Sequence, residues 1–552
     1  MPGPLILQRA PPLWLEVEHP QYSDCRDFLV GFAELVKSPE YLHTYRVTPL
    51  SLWNAAAVDV SFGEIEEGLR QFAKYQVPEN VITDIREWHA AYGKLILEPD
   101  TPERLRLTVE DPYIRERVQH DKSLRACWVD GENGGMFIPA KERGNLKHKL
   151  VKIGFPVKDL CGYLPGAPFD VRLRDVDLDG NPFRLRDYQL DAVDAFYRAG
   201  RATGGSGVIV LPCGSGKTII GLEAIARISN HTLIVTTNNI SVHQWRDELI
   251  AKTHVDPHHI GEFTGQLKAI RPITITTYQM LTHRRSKADP LRNLEIFTRH
   301  GWGLIIYDEV HLLPAPVFRA TTGIQAKRRL GLTATLIRED GRQDDVFALI
   351  GPKRYDVPWK TLESRGYIAE ALCTEYRLEL PPEEAFEYAH ASKRARFRIA
   401  AENPRKTGLV EELIFNHPDD KILVIGMYIS QVEKIARRLK LPLITGKTKH
   451  PDREQLYAAF RRGDIRVLVV SKVANFAVDL PDASVMIQVS GTFGSRQEEA
   501  QRLGRILRPK RKRSHFYTLI SRGTDEQTFG LKRQLFLVEQ GYKYQIRYFD
   551  QV

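Results

Sequence analysis

Seven short runs of branched aliphatic residues constrain this chain more than any other feature: GVIVL, HTLIVTT, ITITTY, WGLIIYDE, DKILVIG, IRVLVVS and ASVMIQVS. Each is too short for a buried helix, and helical patterns separate them. Brief Val- and Ile-rich runs of this kind are strands buried on both faces, as happens when helices cover a parallel sheet. They fall into two groups, parted by the charged helical stretch EEAFEYAHASKRARFRIAAEN. The expectation is an α/β chain with two parallel-sheet domains in tandem.

The 552 residues leave room for more, since about 150 per domain allows three or four units. Near the start, Ser61 and Glu64 form a capping box before a helix with Ile65, Leu69 and Phe72 on one face. Pro78 opens a second helix bearing Val81, Ile85, Trp88 and Tyr92, with Gly93 as its stop. KLILE and RLRLTVE read as strands bridged by EPDTPE, and RGNLKHKLVKIG as a basic helix ended by Gly154. The turn cluster Asp179-Gly180-Asn181-Pro182 marks a domain boundary. The predicted division is a mostly helical N-terminal domain (1–111), a small α+β module (112–180), a first sheet domain (181–372), a linker (373–403) and a second sheet domain (404–552).

Lys and Arg total 79 against 69 Asp and Glu, a formal charge of +10. That excess suits nucleic acid or an anionic surface without deciding between them. Cys25, Cys127, Cys161, Cys213 and Cys373 form no CxxC pair, which disfavours a disulfide framework or a metal cluster and fits a reducing compartment. No apolar run reaches the roughly 18 residues of a membrane span, and MPGPLILQRAPP is cut by Arg9, so no secretory signal is expected.

GVIVLPCGSGKT leading into IIGLEAIARI has the strand–loop–helix context of a phosphate-binding loop. Gly214 and Gly216, around Ser215, would let backbone N–H groups turn onto phosphate oxygens at a positive helix end. Lys217 would neutralise the β and γ phosphates, and Thr218 would hold Mg²⁺. Leu211 stands where the strict pattern has its first glycine. A chance glycine loop is the plain alternative.

LIIYDEVH would deliver Asp308 and Glu309 to the carboxyl end of a buried strand, where open α/β sheets bind ligands. Asp308 would act on the metal's water shell and Glu309 on the attacking water. QRLGRILR places Arg502, Arg505 and Arg508 on one helix face, either a solvated basic stripe or arginine fingers. Gln189 in LRDYQ, with Arg186 beside it, could read the adenine edge or be an ordinary helix residue. Ser241 and Gln244 in SVHQW read as a further capping box; Thr264-Gly265 and Thr276-Thr277 follow strands and could bind backbone oxygens.

Taken together, DEVHLLPAPVFR (308–319), LGLTATLIRED (330–340), SKVANFAVDLP (471–481), GTFGSRQEEAQRLGRILRP (491–509) and KRQLFLVEQGY (532–542) resemble the XPB family of superfamily 2 helicases, in its bacterial branch. The resemblance covers residues 180–545 and reaches HTYRVTPLSLWNAA (43–56) more weakly. It implies two RecA-like domains and an ATP-driven 3′→5′ DNA helicase or translocase in repair. Lys217, Thr218, Asp308, Glu309, Gln189, Arg505 and Arg508 would form the ATP site. His311, Thr333, Thr335 and Gln501 would couple it to DNA. Thr264, Thr277, Arg338, Glu339, Asp340, Ser471 and Lys472 would meet DNA, single-stranded or forked. EEAFEYAHASKRARFRIA stands in place of the family's thumb, residues 112–177 in place of its damage-recognition domain, and KHKLVK (147–152) would face DNA. Ala477 replaces the glycine of the superfamily's GxDxP pattern. The resemblance further implies a nuclease partner and a cytoplasmic, nucleoid-associated enzyme. A pure duplex translocase, an RNA-directed motor and an ATP-inactive scaffold remain as alternatives.

Overall fold

The computed structural model describes all residues except 1, 9–11, 39–40, 130–134, 213, 285–290, 315–316, 318–323, 325–326, 335–342, 358, 472–482, 492–501, 505, 507–512, 540–541, 543 and 550–552. Residues Met1–Glu34, Leu42–Leu211 and Gly216–Asp356 make one unit; Val357–Val552, with Leu35–Tyr41 and Pro212–Ser215, make the other.

The first unit is built on seven parallel strands in the order Ile260–Phe263, Ile273–Thr277, Thr232–Thr236, Leu304–Asp308, Arg328–Thr333, Ser206–Val210 and Lys353–Asp356. The central strands are buried along their length because helices such as Asp187–Tyr197, Lys217–Ile228 and Asn239–Lys252 pack against the sheet. The last of these helices does not start at Ser241. Asn238 caps it, its side chain accepting from the Ser241 N–H at 3.0 Å, so Ser241 sits in the first turn. Asn in extended backbone is at least as good a cap as Ser, and it comes first along the chain.

Ahead of that sheet, strands Leu5–Ile6, Leu13–Glu16 and Leu42–Arg46 pair antiparallel beside helices Pro49–Ala57, Phe62–Phe72 and Glu79–Ala91. The Ser61–Glu64 box is formed, with N–H to oxygen distances of 3.2 and 2.7 Å, and Ile65, Leu69 and Phe72 are buried. A second small sheet follows, ordered Met136–Pro139, Arg104–Val109, Leu95–Pro99, Val157–Asp159, with helix Arg143–Lys152. Leu97, Leu107, Ile138, Leu146 and Leu150 fill its core. The module therefore starts near Leu95 rather than at 112, because its first two strands have their hydrogen-bond partners downstream.

The second unit repeats the parallel plan: Leu443–Ile444, Val467–Ser471, Ile422–Gly426, Val485–Gln488, Ser514–Ser521, Ala371–Leu378, Tyr544–Phe549. All seven aliphatic runs are strands, and the α/β class with two RecA-like sheets stands. The segment expected to be a linker from 373 is in its first part a strand inside this sheet, paired on both sides. Helices Pro382–His390 and Lys393–Ala401 come after it.

Candidate nucleotide-hydrolysis site

In the first sheet Asp308 pairs in register with Leu332, and Leu332 with Ile209. The phosphate loop and the acidic loop thus leave the same carboxyl edge, on strands separated by one neighbour, as ligand sites of open α/β sheets require. Gly214 and Gly216 hold φ of +81° and +82°, backbone that a side chain resists, and Lys217 opens the helix directly after them. A Cβ on Gly216 would lie 2.6 Å from Gln189 Nε2, so the absent side chain also lets Gln189 approach the loop. Ser215 is buried and its hydroxyl donates to the Pro212 carbonyl at 2.7 Å. Lys217 Nζ donates to the Leu211 carbonyl at 3.3 Å, and Thr218 is half-buried in the first helical turn. Leu211 continues the strand ladder, its N–H reaching the Thr333 carbonyl at 3.0 Å, so no glycine is needed there.

Asp308 is held from two sides. The Trp245 indole N–H donates to Oδ2 at 3.0 Å, and the Tyr278 hydroxyl donates to its main-chain carbonyl at 3.0 Å. Burial pushes its carboxyl up to about 6, with the Glu309 charge adding and the Trp245 hydrogen bond and Lys217 charge opposing. Glu309 has φ +50°, rare for a residue with a side chain. Its Oε2 is buried without a hydrogen-bond partner among the described residues and lies 3.5 Å from His311 Nδ1. That same Nδ1 is 2.6 Å from Thr333 Oγ1, both residues being buried. Thr333 therefore touches both loops, through its carbonyl and its hydroxyl. Gln189 is also buried, with Oε1 accepting from the Arg186 N–H at 2.9 Å, while Arg186 Nη1 donates to the Tyr188 hydroxyl at 3.2 Å.

Residues 362–549 match the family model described as ERCC3/RAD25/XPB C-terminal helicase, 182–338 the type III restriction enzyme res subunit, and 5–131 a helicase conserved C-terminal domain. A Kineococcus radiotolerans protein named DNA 3′-5′ helicase XPB is 49% identical over 99% of this chain and 96% of its own length. The Mycobacterium tuberculosis protein of the same name is 47% identical over 99% and 98%. The chain belongs to the XPB family. A Danio rerio relative, a general transcription and DNA repair factor IIH helicase/translocase subunit XPB, is 32% identical over 97% of this chain and 78% of its own length.

Several XPB-family positions serve local structure here. Thr277 caps helix Tyr278–Thr282 by accepting from the Met280 N–H at 3.0 Å; Thr264 accepts from the Gln266 and Leu267 N–H groups at 3.3 and 3.2 Å. Both are buried. Ser471 ends its strand with a buried hydroxyl that has no hydrogen-bond partner among the described residues. Arg502 is not part of an exposed stripe: it is 2% exposed and donates to Gln488 Oε1 at 2.6 Å within the second unit. In KHKLVK, Lys147 points inward, paired with Asp159 at 3.1 Å, and His148 is paired with Asp345 at 2.7 Å, so neither presents a free cation to a surface. Thr335, Arg338, Glu339, Asp340, Lys472, Gln501, Arg505 and Arg508 lie outside the described residues.

Trp245 and Tyr278, the two residues that fix Asp308, carry no motif. One signal existed for Trp245: Gly221 on the phosphate-loop helix, where a Cβ would meet the indole at 2.4 Å.

Proposed function

We propose that the chain is an ATP-dependent 3′→5′ DNA helicase or translocase of the repair type, with Mg²⁺ as its metal. One observation carries the catalytic reading: the buried carboxylate oxygen of Glu309, without a hydrogen-bond partner among the described residues, stands beside Asp308 at the edge from which the phosphate loop departs. The N–H groups around Gly214 to Lys217 and the positive helix end would cradle phosphate oxygens, with Lys217 neutralising them. The Thr218 hydroxyl and the Asp308 carboxylate are hard oxygen donors that suit Mg²⁺, and a divalent cation would offset the burial cost that raises the Asp308 carboxyl. When bound, that ion would screen the negative charge of the terminal phosphates. Glu309 would orient and deprotonate the attacking water; Arg505 and Arg508 are assigned the charge that develops on the transferred phosphoryl group. The His311–Thr333 contact would pass the state of the acidic loop to the residues after Thr333, where Arg338, Glu339 and Asp340 follow. Gln189 with Arg186 is assigned to the base.

DNA is the proposed track, supported by the relatives' names and the excess of basic residues. A nuclease partner and a cytoplasmic, nucleoid-associated location are proposed on the family's account; no helix among the described residues is long and apolar enough to cross a membrane. The relatives named helicase/translocase favour a second reading, duplex translocation without strand separation. ATPase and strand displacement are measured with single-stranded, duplex, forked and RNA substrates at stated salt. Glu309→Gln is expected to bind ATP and barely hydrolyse it; full turnover sinks the proposal. ATP use without strand release selects the translocase, and stronger stimulation by RNA overturns the DNA assignment.

A further inference from the structure

A cavity of about 260 Å³ lies inside the first unit, away from the phosphate loop. Three parts of the chain wall it: Asp59 and Tyr92 from the N-terminal segment, Lys147 and Asp159 from the small module, and Thr203 and Arg354 from the sheet edge. Its charge is unbalanced. Lys147, Lys158, Arg198 and Arg354 line it, against Asp59 and Asp159.

Both carboxylates are already committed. Asp59 is paired with Arg198. Asp159 accepts from Arg143 Nε and Nη2, each at 2.8 Å, and is also paired with Lys147 at 3.1 Å. Arg354 spends three N–H groups on main-chain carbonyls: Ser206 at 3.0 Å, Ala57 at 2.9 Å and Thr203 at 2.6 Å. No carboxylate lies within ion-pair distance of it among the described residues, and a guanidinium has two further N–H groups to give. Behind the wall Arg329 is fully buried and donates to the Leu349 carbonyl at 2.8 Å. One largely buried carboxylate, Asp159, is thus shared by Arg143 and Lys147, with the Arg329 charge acting on the same group. Burial pulls the Lys147 ammonium down to about 8 in spite of Asp159, and the Arg329 and Arg143 charges add to the fall.

We propose that this cavity is a binding site for a small oxyanion of the phosphate class, drawn in by Lys147 and Arg354. The volume falls just under the roughly 300–1,000 Å³ usual for organic ligands, which favours a hydrated oxyanion over a nucleotide. Guanidinium and ammonium donors together are the ordinary recognition chemistry for such an ion. Occupancy would brace the N-terminal segment and the module against the start of strand Ser206–Val210, the strand that runs into the phosphate loop.

The test uses the full chain with inorganic phosphate and, for location, crystals soaked in selenate. Phosphate binding is measured in Lys217→Ala, which removes the phosphate-loop lysine from the count. The expected results are a selenium anomalous peak inside the cavity, and a phosphate-dependent rise in melting temperature that persists in Lys217→Ala. Adding Lys147→Met should weaken phosphate binding at least about tenfold. A peak confined to the phosphate loop, or no peak, overturns the proposal. A cavity peak with phosphate affinity unmoved by Lys147→Met means an adventitious ion only and overturns it too. The soak needs no variant, so the proposal stays open to refutation even where Lys147→Met does not fold.

Discussion

Replacing Trp245 by Phe tests how the acidic centre is tuned. The change keeps an aromatic side chain at this position, though one too short to fill the indole's place against Gly221, and deletes the N–H that donates to Asp308 Oδ2 at 3.0 Å. A hydrogen bond to a charged group is worth about 1.5–3 kcal/mol net, and one pKa unit corresponds to about 1.36 kcal/mol. Losing it should therefore raise the Asp308 carboxyl by about one to two units, from about 6. Asp308 must be ionised to hold a metal, so activity is lost as pH falls through its pKa, and the variant's acid limb moves upward. At pH 7 the ionised fraction would drop from about nine-tenths to between one-half and one-tenth, a two- to tenfold loss of kcat/KM for ATP at limiting Mg²⁺. The loss should vanish near pH 9 and shrink at high Mg²⁺, because the metal competes with the proton. The assay is DNA-stimulated ATPase across pH at two Mg²⁺ concentrations, with melting temperature as the folding control. An unmoved acid limb, or a loss equal at all pH values, refutes the assignment of Asp308 as the titrating metal ligand held by Trp245.

Three further outcomes follow from the same structure. Asp308 has its folded pKa raised above the ordinary carboxylate value, so the stability it contributes is lost as pH rises between about 4 and 6. Asp308→Asn should be more stable than the parent by about 3 kcal/mol at pH 7 and no more stable at pH 4, by chemical denaturation at both pH values. Gly216→Ala forces a side chain into φ +82° and against Gln189 Nε2, so ATP binding by equilibrium titration should fall well over tenfold. Lys406 and Glu526 are a buried pair at 2.8 Å in the second unit. Lys406→Met alone should cost about 3–5 kcal/mol by urea unfolding, and adding Glu526→Gln should recover part of it.

Strands were legible in the sequence where burial on both faces demanded unbroken aliphatic runs. Those passed over are of two kinds. Ile260–Phe263, Lys353–Asp356, Leu443–Ile444 and Tyr544–Phe549 lie at sheet edges: the first and third are too short or interrupted to read as aliphatic runs, and the second and fourth carry polar residues toward solvent. Arg328–Thr333 and Ala371–Leu378 lie inside their sheets yet carry charge, and Ser514–Ser521 lies inside with Ser, His and Thr interrupting its apolar run. Arg329 is neutralised in effect by the carbonyls of Leu349 and Ile324, and Glu375, 1% exposed, by Arg377 at 2.7 Å and the Gln534 amide. No local pattern announces Leu349, 20 residues from Arg329, or Gln534, 159 residues from Glu375. The same holds for the module boundary, misplaced at 112 because strands Leu95–Pro99 and Arg104–Val109 look like any hairpin until their downstream partners are known.

At the candidate site, the residue types were legible because their chemistry is local: glycines at positive φ, a lysine at a helix start, two acids at a strand end. The sequence alone determined the α/β class and the family, and it named the glycine loop and the acidic pair as the candidate site. Tertiary structure decided what surrounds them: Trp245 and Tyr278 on Asp308, Thr333 joining both loops, Arg502 and Lys147 turned inward. The reason is physical. A backbone conformation or an aliphatic strand is specified by a handful of neighbours in sequence, whereas the ionisation of a buried group depends on charges and donors that only folding brings within reach.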